Sequence, residues 1–101
     1  MSSVFKALSD PTRRAVLQML RRRSMTAGEI AARFLVSKPT MSAHFAVLRE
    51  ADLIEGEKIG KSIVYHLKLS VLEDAMLAFA QAMELGRKPA PEVRPKLGEA
   101  Q

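Results

Sequence analysis

Four polar side chains that could recognise another molecule lie within six residues: Ser37, Lys38, Thr40 and Ser42. Hydroxyl and ammonium groups donate hydrogen bonds to phosphate oxygens and to the edges of nucleobases. Ser37 can also cap a helix, because its side-chain oxygen can accept a bond from an unpaired amide one turn ahead. The cluster therefore indicates either a nucleic-acid contact or an ordinary solvated helix start that is rich in capping residues.

The residues after this cluster have the pattern of an amphipathic helix that continues to Glu50. At about 100° per residue, Met41, Phe45 and Leu48 fall on one face. The opposite face carries small or polar residues, namely Pro39, Ala43, Ala46 and Glu50. Small outward side chains let the backbone approach another surface closely, as a helix in the DNA major groove requires. The pattern therefore predicts a helix with a buried side and a side that can read DNA.

The elements before this helix are short and clearly punctuated. A small apolar stripe over 4–8 predicts a first helix. A second helix is predicted over 11–22, because Asp10 can serve as its N-cap and Pro11 suits its first helical position. Thr26 starts a third helix, and Glu29 three residues later completes a capping-box pattern. Because only a few residues separate the third helix from the fourth, the pair is predicted to form a helix-turn-helix.

After Glu50 the apolar pattern changes from helical to alternating. The stretches 53–58 and 63–67 flank a connection that contains glycine, which predicts a β-hairpin. Ile63, Tyr65 and Leu67 should share one side of the second strand. A hairpin directly after a helix-turn-helix is a wing, and its Lys58 and Lys61 would then lie along a phosphate backbone or a minor groove. The alternative for a lysine in a hairpin turn is ordinary solvated surface.

The last predicted helix, over 70–85, has an unusually broad apolar side. It is wider than the stripe of about 100° that packing on a single domain needs. A helix that is apolar on two sides usually has two partners. We expect these to be the rest of the domain and a second copy of the chain.

Length, composition and charge limit the remaining possibilities. The 101 residues carry a net charge of +5, which permits nucleic-acid binding without requiring it. We expect one domain over 1–86 and a flexible tail over 87–101, because the tail holds three of the five prolines and few large apolar side chains. The absence of cysteine excludes disulfides, thiol redox sensing and cysteine-ligated zinc. No apolar run is long enough to span a bilayer, and we expect a cytoplasmic protein without membrane insertion.

Catalytic, cofactor and metal motifs are not expected. The stretch Gly56–Ser62 resembles a phosphate-binding loop, but its spacing is one residue short and it leads into a strand. The two histidines are on separate elements, and no plausible Ser/His/Asp set or zinc-protease pair is visible. The last helix offers only Glu73, Asp74 and Glu84, without the imidazole or thiolate that transition metals prefer. We therefore expect neither an enzyme nor a metal sensor.

With these residues in view, the chain resembles the ArsR-type winged-helix repressors, and within them the SdpR-like autorepressor branch. The resemblance covers nearly all of residues 4 to 85 and is carried by several motifs in the right order, at 4–14, 25–31, 37–45 and Gly60-Lys61 with Tyr65. The chain departs from the family pattern at Ala43, where a larger polar residue is frequent, and at Phe45, where leucine is frequent. The operator sequence therefore does not carry over from relatives.

The resemblance implies a homodimer, built from the first and last helices, that binds an inverted-repeat operator and blocks transcription, with autoregulation as one option. The expected DNA contacts are Ser37, Lys38, Pro39, Thr40, Ser42, Ala43, His44, Lys58 and Lys61. The expected dimer contacts are Val4, Phe5, Leu8, Leu72, Met76, Phe79 and Met83. An effector or anti-repressor protein that relieves repression is not identified by any residue. The alternative is a winged-helix module that binds a protein partner instead of DNA.

Some basic and titratable residues have a structural interpretation as well. His44 lies at the edge of the apolar face, where packing with one local hydrogen bond competes with a phosphate contact. Arg13 and Arg14 could approach phosphates, but structural pairing is the favoured interpretation. The run Arg21–Arg23 follows the last turn of a helix, where cations favour the helix dipole, and is expected to be a solvated helix end.

Overall fold

The computed structural model describes residues 2–86, which form five α-helices and three β-strands. The elements in chain order are α1 (Ser2–Leu8), α2 (Pro11–Arg22), β1 (Met25–Thr26), α3 (Ala27–Ala31), α4 (Lys38–Glu50), β2 (Ile54–Ile59), β3 (Ser62–Leu67) and α5 (Leu69–Ala82). This order is that of a winged helix-turn-helix, with α3 and α4 as the helix pair and β2–β3 as the wing. The predicted fold class is confirmed, while the expected tail over 87–101 lies outside the described residues.

The predicted helix starts are confirmed at α3 and α4 and modified at α2. At α3 the Thr26 hydroxyl accepts from the Glu29 amide at 3.0 Å, and the Thr26 amide donates to the Glu29 carboxylate at 2.8 Å. This is the reciprocal capping box that the spacing predicts. At α2 Asp10 occupies the N-cap position before Pro11, but its side chain makes no capping bond. The Asp10 carboxylate is turned elsewhere, toward α4.

The wing is part of a larger sheet than the sequence predicted. The strand order is β1-β3-β2, all antiparallel, and Met25 of β1 pairs with Tyr65 of β3. A two-residue strand has too few residues to show an alternating pattern, which is why β1 was not expected. The turn between β2 and β3 consists of Gly60 and Lys61, and Gly60 has a φ of +61°, a conformation that favours glycine.

The core lies where α2, α3 and α4 meet the base of the sheet. Met41, Phe45 and Leu48, the predicted inner face of α4, are all buried. Tyr65 is also buried, and its ring lies 4.8 Å from that of Phe45, measured between centroids. Ile63 on the same strand is 42% exposed, because the hairpin extends beyond the core and its outer half has nothing to pack against.

Several large apolar side chains of helix α5 remain exposed in the single chain. None of its residues is buried. Met76, Phe79 and Met83 are between 37% and 58% exposed, and the Phe79 ring meets that of Phe5 in α1 edge-on, at 5.1 Å between ring centroids. The helix ends three residues earlier than predicted, because the chain turns after Ala82 and Glu84 adopts a positive φ. None of the helices in the described part of the chain has the length and apolarity needed to cross a membrane.

Candidate nucleic-acid interface

The first turn of α4 is built by hydrogen bonds among its own side chains. The Ser37 oxygen accepts from the Thr40 amide at 3.3 Å, and the Ser37 hydroxyl donates to the Thr40 hydroxyl oxygen at 2.9 Å. Because Ser37 uses its proton in this bond, the Thr40 hydroxyl keeps its own proton for an outside acceptor. The N-cap therefore serves two purposes: it starts the helix and it orients Thr40 as a donor.

The structure brings most of the expected contact residues onto one exposed surface. Lys38, Pro39, Thr40, Ser42 and Ala43 are all exposed at the start of α4. The unpaired amides of a helix start carry a partial positive charge, which favours a nearby phosphate. This surface, which we call the reading turn (residues 37–43), thus combines free donors, a small profile and a positive potential.

His44 is the exception, because its side chain points into the protein. Only 14% of the side chain is exposed. Its Nδ1 lies 3.1 Å from the Arg13 guanidinium, and its Nε2 lies 3.7 Å from the Asp10 carboxylate. Both ring nitrogens of His44 therefore face protein groups, which favours the packing alternative over a DNA contact.

Arg13 and Arg14 close the end of α1. Arg13 donates to the carbonyl oxygens of Ala7 at 2.9 Å and Lys6 at 2.8 Å, and Arg14 donates to that of Leu8 at 2.8 Å. Their role is structural, as favoured from the sequence, but their partners are carbonyl groups. A short helix such as α1 leaves its last carbonyls without intrahelical partners, and these two guanidinium groups satisfy them.

The wing presents two further cations. Lys58 on β2 and Lys61 in the turn are exposed, and within residues 2–86 neither they nor Lys38 form an ion pair. Lys68 at the base of the wing differs, because it bonds the Asp52 carboxylate at 2.8 Å, and this hydrogen bond raises the pKa of Lys68. Three unpaired lysines thus lie on the reading turn and the wing, while Lys68 is held by a carboxylate.

Arg49, which the sequence analysis did not single out, connects α4 to the wing. Its guanidinium donates to the Tyr65 hydroxyl at 2.8 Å. Gly56 lies against the same tyrosine: a Cβ there would lie 3.1 Å from both the Ile63 and Tyr65 side chains. Next to these residues is a cleft of about 310 Å³ between the end of α4 and the wing, lined in part by Lys58. Arg49 lies 16 positions from Tyr65, and no short-range pattern connects the two.

One cluster on the sheet brings a serine, a histidine and a glutamate together. The Ser24 hydroxyl lies 2.6 Å from His66 Nδ1, and His66 Nε2 lies 2.9 Å from the Glu57 carboxylate. The His66 and Glu57 side chains are 39% and 59% exposed. The cluster bridges β2 and β3 and the residue before β1 on an open surface, which suits cross-strand pairing. Within residues 2–86 no group of three or more His, Cys, Asp or Glu side chains could hold a metal ion.

Comparison with known proteins places this geometry in a family. Residues 8–57 match a helix-turn-helix domain model. The transcriptional repressor SdpR of Bacillus subtilis (strain 168) is 46% identical over 76 residues, which is 75% of this chain and 84% of that protein. The arsenical resistance operon repressor of Staphylococcus xylosus is 32% identical over 73 residues, or 72% of this chain and 70% of that protein.

Solved structures of similar fold belong to the same kind of protein as these relatives. A crystal structure of an ArsR family transcriptional regulator superposes with a TM-score of 0.77 at 30% identity, over 87% of this chain and 97% of that one. An ArsR-like transcriptional regulator from Rhodococcus sp. RHA1 gives a TM-score of 0.73 at 31% identity, over 82% and 78% of the two chains. With its capped reading turn, its wing and these relatives, the chain belongs to the ArsR family of transcriptional regulators.

Proposed function

We propose that this protein is a transcriptional repressor that binds an inverted-repeat operator as a homodimer, in the cytoplasm where that DNA would lie. The observation that carries the proposal is the reading turn, whose exposed donors and unpaired Lys38 lie beside a wing with two more unpaired cations. Helix α4 enters the major groove, where Lys38 and Thr40 donate to base edges or phosphate. Lys58 and Lys61 follow the flanking backbone.

The uncovered side of α5 supports the dimer. Met76, Phe79 and Met83 share one side of this helix and remain exposed in the single chain. Exposed apolar side chains grouped in this way are typical of a protein contact. Phe5 in α1 lies beside Phe79 and extends the surface. Val4, in contrast, is 5% exposed and belongs to the core of the protomer, while Leu8 and Leu72 are half-buried against that core.

A two-fold dimer predicts the form of the operator. Two copies of α4 related by the dyad would read a pseudo-palindrome whose half-site centres lie about 10–11 base pairs, or a multiple of that, apart. Autoregulation would place such a site upstream of the gene for the protein itself.

The proposal is tested by the affinity for a duplex selected by the wild-type protein from a random pool, measured by fluorescence anisotropy at several salt concentrations. Lys38→Ala should weaken this affinity by about 1–3 kcal/mol and relax sequence preference, because a base-edge donor is lost. Lys61→Ala should weaken all sequences alike and reduce the salt slope by about one unit, because only a phosphate contact is lost.

Lys88→Ala, in the stretch outside the described residues, serves as a charge-matched control and should bind as the wild type does. If both Lys38→Ala and Lys61→Ala left binding unchanged, the assignment of contacts would be wrong. A wild-type protein with no salt-dependent affinity for any duplex would contradict DNA binding itself and favour a winged-helix module that binds a protein.

A further inference from the structure

We propose that Arg13 is a positioning residue that couples helix α1, at the dimer contact, to the orientation of the reading helix α4. This inference rests on the proposed function, because it assigns α1 to the dimer and α4 to DNA. It adds a residue that touches neither DNA nor the second protomer, and that connects the two surfaces within one chain.

The geometry centres on one guanidinium group that holds two elements together. Arg13 Nε donates to the Ala7 carbonyl at 2.9 Å and Nη2 donates to the Lys6 carbonyl at 2.8 Å, both at the end of α1. The remaining nitrogen, Nη1, lies 3.1 Å from His44 Nδ1 in α4. Because the guanidinium is planar and its donors have fixed directions, a shift of the α1 carbonyls moves the donor that faces His44.

These contacts also determine the state of His44. A guanidinium can only donate, so His44 Nδ1 must accept, and the ring proton of the neutral imidazole lies on Nε2. Nε2 faces the Asp10 carboxylate oxygen Oδ2 at 3.7 Å. That oxygen is buried and accepts no hydrogen bond within residues 2–86. The hydrogen bond from Arg13 therefore holds the His44 ring at Nδ1, while Nε2 faces an acceptor that lies beyond hydrogen-bond distance.

His44 is well placed to pass this constraint to the reading turn. It lies four residues after Thr40, which is one helical turn, so the two side chains are neighbours on α4. A rotation of α4 that moves His44 also moves Thr40. At the other end, α1 contacts α5 through the Phe5–Phe79 ring pair, next to the surface assigned to the second protomer. The contacts thus run from the dimer surface through α1 and Arg13 to the reading turn.

Arg14 provides a matched control. It donates to the Leu8 carbonyl of the same helix end at 2.8 Å, and within residues 2–86 its side chain makes no hydrogen bond or ion pair with α4. Arg13→Gln and Arg14→Gln therefore both remove a charge and a contact to α1, but only Arg13→Gln removes the connection to His44. His44→Gln retains an acceptor for Arg13, whereas His44→Leu does not.

The test measures, for each folded variant, the affinity for the selected duplex and for a random duplex at the same salt concentration. We expect Arg13→Gln and His44→Leu to lower the ratio of the two affinities about tenfold, as expected when one base contact is misplaced. Random-duplex affinity should stay near the wild-type value, because the free lysines are untouched. Arg14→Gln and His44→Gln should keep most of the ratio. A ratio that is unchanged in Arg13→Gln, or lost equally in Arg14→Gln, overturns the proposal.

A second readout does not depend on DNA. The imidazole ¹⁵N spectrum of the free protein, assigned with a His66→Gln variant, should show the Nε2–H tautomer of His44, and Arg13→Gln should convert it to a mixture. If the His44 tautomer is the same in the Arg13→Gln variant as in the wild type, the proposal is overturned. If the tautomer responds while the DNA ratio does not, the coupling is wrong and the proposed function stands. If the wild-type protein binds neither duplex, the proposed function fails and the coupling fails with it.

Discussion

Single side chains determine how closely the wing packs against helix α4, and Gly56 leaves little room for added atoms. A Cβ at this position would lie 3.1 Å from Cε1 of Tyr65, whose ring is buried and whose hydroxyl is bonded to Arg49. The ring has little freedom to move away. Ile63, the other neighbour, is exposed and can adjust.

Gly56→Ala should therefore destabilise the fold by about 1–3 kcal/mol, the usual cost of extra atoms in a well-packed site. Urea denaturation followed by circular dichroism measures this free energy of unfolding. Gly28→Ala is the control, since a Cβ there meets only one atom, at 4.0 Å, and alanine favours the helix. Equal stability of the Gly56→Ala variant and the wild type would contradict the tight packing of Tyr65.

At this scale the sequence predicted local contacts and missed distant ones. The bonds of Ser37 with Thr40 and of Thr26 with Glu29 span three residues, so capping rules sufficed to predict them. His44 and Arg13 are 31 positions apart. Nothing in the spacing of the residues indicates that the guanidinium would reach the imidazole, so the sequence leaves both packing and a DNA contact open for His44.

Among the elements, α3 depends on its capping box in a way that pH can reveal. The hydrogen bond from the Thr26 amide lowers the pKa of Glu29 below its usual value, with a further contribution from Arg23, which lies 3.6 Å away, against a desolvation cost that raises it. A carboxyl group whose pKa is lowered on folding stabilises the protein above its unfolded pKa. That contribution disappears as the pH falls through the folded pKa.

Glu29→Gln should thus lower the urea midpoint slightly at about pH 7 and by less at about pH 3, because the wild-type carboxyl loses its charge as the pH falls through its folded pKa. Glu73→Gln, at an exposed position of α5, should leave the midpoint unchanged at both pH values. If Glu29→Gln lowered the urea midpoint by the same amount at both pH values, the ionised carboxylate would not be what stabilises α3.

Helices α2, α3 and α4 could be located from the sequence because each begins with a capping residue or a proline and has a clear apolar face. The limits of the sheet were less predictable. Strand β1 has only two residues and exists because Met25 pairs with Tyr65, forty positions later in the chain. The exposure of Ile63 likewise depends on how far the hairpin projects from the core, which alternation alone does not determine.

For the whole molecule, α5 should be the element that determines assembly. Phe79→Glu would place a charge in the proposed dimer contact and should weaken dimerisation at least about tenfold. Gln81→Glu is the control, because Gln81 is exposed on the opposite side of the same helix. Sedimentation velocity over a range of protein concentrations measures the monomer–dimer equilibrium of both variants. A Phe79→Glu variant that remains as dimeric as the wild type would place the dimer contact elsewhere.

The central claim is that two copies of α4 read one operator, and protection of guanine N7 from methylation tests it most directly, because N7 lies in the major groove. With the selected duplex, the wild-type protein should protect two symmetric groups of guanines whose centres lie about 10–11 base pairs, or a multiple of that, apart. Lys38→Ala should lose protection in both groups together. Protection of a single group, or unchanged N7 reactivity on a duplex that the protein demonstrably binds, would contradict the account.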